Sequence, residues 1–155
     1  MGRRDRRPGA CLPAVAFLAL LLILAHAVAA APDAPVAVDV GVVVASNEGD
    51  TMDPALTPIR NQLHSMFNYT SYRLVERLKR TLSVGETGDF GLPGNRSMRV
   101  TPVPAKGNKV RLAVQMMEAE RNLLTTTLGL TRGGMVLVGG PPYQKGVLIL
   151  IISAE

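Results

Sequence analysis

The sequence predicts a mainly β protein, a two-layer antiparallel β-sandwich-like domain with one short α-helix. Three observations lead to this fold class. Apolar side chains alternate with polar or small ones in about eight short segments after residue 35, a spacing typical of half-buried strands. Clusters of glycine, proline and asparagine separate these segments, as expected for turns. Only residues 58–67 have apolar side chains at helical spacing.

The first 30 residues have the three parts of a secretory signal. Residues 2–9 are rich in arginine, residues 12–25 are almost wholly apolar, and Ala27, Ala29 and Ala30 supply small side chains for cleavage after Ala29 or Ala30. We therefore expect a signal peptide at 1–30, a linker at 31–35 and a single secreted or periplasmic β-rich domain at 36–155. The alternative is an uncleaved membrane anchor, because residues 12–31 could nearly cross a bilayer.

The chain after this leader is nearly neutral and has no cysteine. Four of the 17 basic residues and one of the 12 acidic residues lie in the leader, so the net charge of +5 falls to +2. This balance, together with few aromatic residues, argues against nucleic acid as a partner. Cys11 is the only cysteine and also lies in the leader. The domain therefore lacks the thiolates of a cysteine nucleophile, a zinc–thiolate site or an iron–sulfur cluster.

The first strand is predicted where valines recur at every second position from Val36 to Val44. Residues 46–50 form a polar loop. Asp53 and Pro54 then offer a cap and a first helical residue before the helix at 58–67. The period of two returns from Tyr69 to Val84. One strand, one short helix and a second strand are expected in this part of the chain.

An antiparallel meander with one solvated face is predicted in the middle. Residues 90–92 and 97–101 flank a Pro-Gly-Asn-Arg turn, and alternating residues at 110–116 and 124–130 follow. If the apolar side chains share a face, Met98 lies opposite Leu112 and Leu112 lies opposite Leu128.

The C-terminal segments predict the interior of the sandwich. Residues 135–138 form a strand between glycine-containing turns at 133–134 and 139–142. The unbroken apolar run at 147–152 indicates a central strand covered on both faces. We expect this strand to pair with the valine-rich first strand.

Three basic residues form a candidate anion patch: Arg99, Lys109 and Arg111. The expected register places Arg99 directly opposite Arg111 on the exposed face, where like charges are unfavourable. Carboxylates, solvent or an anionic partner would relieve this pair. An acidic envelope polymer or the carboxylates of a partner protein would suit such a patch.

No catalytic, cofactor or metal site is predicted. His64 is the only histidine after the leader and lies within the predicted helix, where a surface position is the ordinary expectation. Glu118 and Glu120 lie in a predicted hairpin turn. No Gly-x-Ser-x-Gly nucleophile motif is present.

Three segments carry a resemblance: DPALTPIRNQLHSMFNYTSYRLVERLKRTLSVGETGDFGLPGNRSMRVTP, VRLAVQMMEAERNLLTTTLGL and LVGGPPYQKGVLILIISA. In this order the chain resembles a group of small exported bacterial proteins of unassigned function. The resemblance covers most of the domain and lies in turn and strand residues. It implies a bacterial envelope setting and no substrate, cofactor or site residue.

Together these features predict an exported envelope protein that acts as a non-catalytic interaction or structural module. Its partner would be an envelope protein or an anionic polymer, and it would touch the membrane only through the signal segment during export. Strand addition at an exposed edge such as Leu123–Leu130 is the expected contact mode, unless that edge is protected. The alternatives are a carrier of a small apolar ligand and a hydrolase with an unrecognised site.

Overall fold

The computed structural model describes residues 34–155, which form two four-stranded antiparallel sheets and a short helical segment. The strands are β1 (Val36–Ser46), β2 (Ser71–Leu82), β3 (Gly88–Leu92), β4 (Arg96–Val103), β5 (Lys109–Glu118), β6 (Arg121–Thr131), β7 (Gly134–Tyr143) and β8 (Gly146–Ala154). Sheet 1 has the order β2-β1-β8-β7, and sheet 2 has the order β3-β4-β5-β6. The predicted signal peptide and its cleavage region lie outside the described residues.

The main core lies between the two sheets. Alternate residues of the strands point inward, as the period of two requires, and the two inner faces supply one apolar cluster. Its fully buried members include Val38, Val40, Val42, Met98, Val100, Leu112, Leu148, Leu150 and Ile152. The predicted β-sandwich-like fold with one short helix is therefore confirmed.

Strand β8 is central and is covered on both faces. Leu148 and Leu150 point into the main core, whereas Ile149 and Ile151 pack in a second cluster on the outer face of sheet 1. β1 pairs with β8 from Val38 opposite Ala154 to Ser46 opposite Gly146. The predicted central strand and its pairing with the first strand are both confirmed.

The helical segment covers part of the outer face of sheet 1. A 3₁₀ helix (Pro54–Ile59) leads directly into α1 (Arg60–Met66). The side chain of Asp53 caps the start by accepting a hydrogen bond from the amide of Ala55 at 2.9 Å. Leu56, Ile59 and Leu63 are buried against the sheet. Neither helix among residues 34–155 is long and apolar enough to cross a membrane.

The buried hydroxyl of Tyr72 holds the end of α1 to the sheet. It donates a hydrogen bond to the carbonyl oxygen of Phe67 at 2.8 Å, and burial raises the pKa of Tyr72. The predicted helix at 58–67 is thus confirmed as an element. The helical segment begins earlier than expected, at Pro54, where the Asp53 cap and a proline in the first turn start a 3₁₀ helix.

The predicted register between β4 and β5 is wrong by four residues. Met98 lies opposite Met116 rather than Leu112, and Arg99 lies opposite Gln115 rather than Arg111. The turn is centred on Gly107, whose φ of +66° suits glycine. A shift of four residues keeps every side chain on its predicted face, so the alternation could not reveal it. The expected pairing of Leu112 with Leu128 is confirmed.

The predicted turn at 139–142 is also wrong. These residues continue β7, with an irregular register between Gly139 and Pro142, and the chain reverses at Gln144 and Lys145. Prolines are tolerated here because β7 is an edge strand, where one side of the backbone has no ladder partner.

Candidate interaction surface

Four strands lie at the edges of the two sheets: β2 and β7 in sheet 1, and β3 and β6 in sheet 2. An edge strand carries unpaired backbone donors and acceptors that can pair with another chain. Natural proteins protect such edges with charge, proline, bulges or short strand length. A second strand would therefore add most readily at the least protected of the four edges.

The β2 edge is protected by charge. Five of its twelve residues are charged: Arg73, Glu76, Arg77, Lys79 and Arg80. Arg73, Glu76 and Arg80 lie opposite core valines of β1 and so share the inner face. The guanidinium of Arg80 lies 5.7 Å from the ring centre of Phe90 in β3. Charged side chains therefore line this edge, and that of Arg80 reaches across to β3.

Two other edges are protected differently. β3 has only five residues, so it offers a short ladder. β7 contains Pro141 and Pro142 beside its irregular register, and proline cannot donate a ladder hydrogen bond.

Strand β6 lacks these protections over most of its length, since its one register irregularity lies at its start. It has eleven residues, and the segment from Asn122 to Thr131 contains neither charge nor proline. Within residues 34–155 its only ladder partner is β5. The sequence prediction that Leu123–Leu130 belongs to an edge strand is confirmed.

The apolar interior is incompletely covered beside this edge. Leu124 and Leu128 of β6 pack against the main core but are only half-buried, as are Val136 and Val138 of β7. On the opposite side of the sandwich the core residue Phe90 is buried. We define the β6 edge surface as β6 with these two half-buried valines. Sequence analysis missed the contribution of β7, although the absence of charge from 133 to 144 was a usable signal.

The outer face of sheet 2 is polar and shallow. It carries a hollow of about 610 Å³, and threonines make up half of the residues that line it. Within it, the side chain of Arg99 donates a hydrogen bond to a carboxylate oxygen of Asp89 at 3.0 Å. The hydroxyls of Thr87 and Thr101 are hydrogen-bonded at 2.7 Å. Polar groups on this face therefore partly satisfy one another.

The candidate anion patch was based on Arg99 lying directly opposite Arg111, and the structure does not place them so. Arg111 lies opposite Val103, four residues along the ladder from the level of Arg99, or about 13 Å at the usual rise per residue. Lys109 lies further along the same strand, opposite Thr131. Arg99 is already ion-paired with Asp89. Anion binding by Arg99, Lys109 and Arg111 stays a prediction without that geometric support.

A second hollow, of about 660 Å³, lies where the β1–β2 connection meets the β7–β8 turn. Lys145 and Glu48 form an ion pair across it at 2.8 Å. The hydroxyls of Thr51 and Ser71 are hydrogen-bonded at 2.7 Å. These contacts tie the long connection to the sheet.

An ion network closes one end of the sandwich. Glu118, at the end of β5, accepts hydrogen bonds from Arg121 and Arg96, and these bonds lower the pKa of Glu118. Arg96 also donates to the carbonyl oxygen of Pro142 in β7 at 3.2 Å. The network therefore connects the two sheets. Sequence analysis treated Glu118 as an ordinary turn residue, because only the fold brings Arg96 beside it.

The described residues contain no group of three or more metal-ligating side chains. His64 is exposed on α1, as expected from the sequence, and contacts the ring of Tyr72 edge-on at 5.1 Å. The chain matches no family model, no curated protein and no solved structure.

Proposed function

We propose that this protein is an exported interaction or structural module of the bacterial envelope that binds its partner by strand addition at the β6 edge surface. The proposed role is non-catalytic. The export component is based on the leader sequence, and the binding component is based on β6.

The observation that carries the proposal is the contrast between β6 and the other edges. β2 has five charged residues, β3 is short and β7 contains two prolines. β6 offers ten consecutive residues, from Asn122 to Thr131, without charge or proline. Edge protection is the usual state of soluble β proteins, so an unprotected edge of this length favours a binding role.

Strand addition would satisfy two requirements of this surface together. An added strand would pair with the outward-directed backbone groups of β6, and such main-chain hydrogen bonds supply affinity. Its inward side chains would cover Leu124 and Leu128, which are half-buried. An extended peptide with apolar residues at every second position is the partner chemistry that fits.

Site-specific photocrosslinking in intact cells tests this function. We expect a photoreactive residue at Thr127 of β6 to give adducts of discrete mass, because its side chain is exposed at the proposed contact. The matched control is Thr81, which is exposed on the charged β2 edge. Its adducts should be absent or much weaker.

A proline at Thr126 supplies a second readout. Proline cannot donate a backbone hydrogen bond and disfavours strand pairing, so Thr126→Pro should abolish the Thr127 adducts, with circular dichroism used to establish that the variant is folded. Equal adducts from positions 81 and 127, or none from position 127, would contradict the function. The apolar-ligand alternative stays a prediction, for which native mass spectrometry of the purified protein is the measurement.

A further inference from the structure

We propose that the strand added at the β6 edge surface is β6 of a second copy of this chain, paired antiparallel about a twofold axis at Thr126. This inference rests on the proposed function, because it names the partner of the same edge. It makes the protein a symmetric dimer whose two copies of sheet 2 form one eight-stranded sheet.

The five central residues of β6 read the same in both directions about Thr126, whereas the three residues on either side of them do not. Residues 124–128 read Leu-Thr-Thr-Thr-Leu. A twofold axis at Thr126 places Leu124 opposite Leu128 of the second copy and Thr125 opposite Thr127 of the second copy. Thr126 is also the middle residue of β6, which runs from Arg121 to Thr131. The centre of the palindrome is therefore the centre of the strand.

The same arrangement matches the two faces of the strand. Thr126 lies opposite the core residue Val114, and Leu124 and Leu128 lie opposite Met116 and Leu112. These three β6 positions therefore point inward. Self-pairing would join four half-buried leucines, two from each copy, into one apolar strip.

The hydrogen-bond pattern permits this axis. In an antiparallel ladder, directly opposed residues alternate between hydrogen-bonded and non-hydrogen-bonded pairs, and a twofold axis passes through both kinds. Thr126 can therefore face Thr126 of the second copy whichever way its backbone groups point. The irregularity between Met116 and Met117 affects β6 only at its start, so the match from Leu124 to Leu128 is undisturbed.

Charge also favours a second copy. The segment from Asn122 to Thr131 adds no like charges across the axis. Pairing about Thr126 brings Glu120 to about the level of Arg132 of the second copy, and this contact occurs twice by symmetry. Both side chains are exposed, and within residues 34–155 neither takes part in an ion pair. Self-pairing of β2 would instead bring several cations together.

Disulfide trapping in purified protein tests the proposed axis. Thr126→Cys, in a Cys11→Ser background, places two thiols on opposed residues whose Cα atoms would be about 4.5–5.5 Å apart, within the range that a disulfide spans. We expect this variant to form a covalent dimer under mild oxidation. The matched control is Thr131→Cys on the same strand, where the two residues would be about 34 Å apart. This control variant should form no covalent dimer.

Mixing two variants tests the register. Thr125→Cys and Thr127→Cys chains carrying different tags should form the mixed disulfide in several-fold excess over either homodimer. Thr125 faces Thr127 of the second copy, whereas two Thr125 residues would be about 8 Å apart, too far for an unstrained bridge. Equal yields of all three products would overturn the register.

Sedimentation equilibrium of the protein without introduced cysteines should give twice the mass of one chain, and Thr126→Lys should give the mass of one chain. A single-chain mass for the parent protein, or a dimer that Thr126→Cys does not trap, would overturn self-pairing. Self-pairing can fail while the proposed function stands, because adducts between Thr127 and a different protein in cells would support strand addition and exclude the second copy as the partner. Absence of all Thr127 adducts would remove both.

Discussion

At the scale of single residues, Glu118 shows how one carboxylate can connect two sheets. Its oxygens accept hydrogen bonds from Arg121 in β6 and Arg96 in β4, and Arg96 also reaches the carbonyl of Pro142 in β7. The side chain of Arg96 is only 12% exposed, so the loss of its carboxylate partner would leave a largely buried cation less well satisfied.

Replacement of Glu118 by glutamine should change how stability depends on pH. The bonds from Arg121 and Arg96 lower the pKa of Glu118 in the folded state, so the stabilisation is present above the unfolded pKa and is lost as pH falls through the folded pKa. Urea unfolding across acidic pH should show a lower free energy of unfolding at neutral pH for Glu118→Gln and a shallower decline on acidification. Glu76→Gln, at an exposed position on β2, is the control and should keep the parental decline.

At the scale of elements, Gly146 shows how a turn can depend on close backbone approach. It begins β8 opposite Ser46 of β1. A side-chain carbon at Gly146 would collide with the carbonyl oxygen of Ala45. Because the obstacle is backbone in a central strand, it cannot move aside as a flexible side chain would.

Gly146→Ala should therefore lower the free energy of unfolding by about 1–3 kcal/mol, the usual cost of overpacking. Gly91→Ala in β3 is the matched control, because nothing lies within 4 Å of the added carbon there. Urea unfolding of both variants is the measurement. Equal stability of the two variants would show that the β7–β8 turn relaxes without cost.

The elements also show where prediction from sequence succeeds and where it stops. The alternation at 110–116 correctly indicated a strand and its buried face, because a period of two records burial directly. It could not specify the partner residues, because a four-residue shift buries the same side chains. Pro141 and Pro142 suggested a turn from local preference, whereas their place in an edge strand depends on which strands flank β7.

At the scale of the whole molecule, the two sheets differ in how far apart their strands are in sequence. Sheet 2 is a continuous meander from β3 to β6, whereas sheet 1 joins β1 and β2 to β7 and β8. Pairing of β1 with β8 closes a chain loop that contains most of the domain. The entropy cost of closing a loop grows with its length. We therefore expect sheet 2 to form earlier during folding.

Two matched core substitutions test this order. Leu112 of β5 and Leu150 of β8 are both fully buried, so each change to alanine should lower the free energy of unfolding by about 2–5 kcal/mol. In stopped-flow chevron measurements, Leu112→Ala should mainly slow folding, whereas Leu150→Ala should mainly accelerate unfolding. If Leu150→Ala instead mainly slowed folding and Leu112→Ala mainly accelerated unfolding, the early contacts would lie in sheet 1.

The amino-acid sequence alone determined most of the elements and their buried faces, because apolar periodicity and turn residues act over a few neighbouring positions. It also identified Leu123–Leu130 as an exposed strand and the run at 147–152 as a central one. Only the tertiary structure decided the β4–β5 register, the separation of Arg99 from Arg111 and the position of β7 beside β6. These features depend on which distant segments pair, and that choice is made by the packing of two whole sheets rather than by any local pattern.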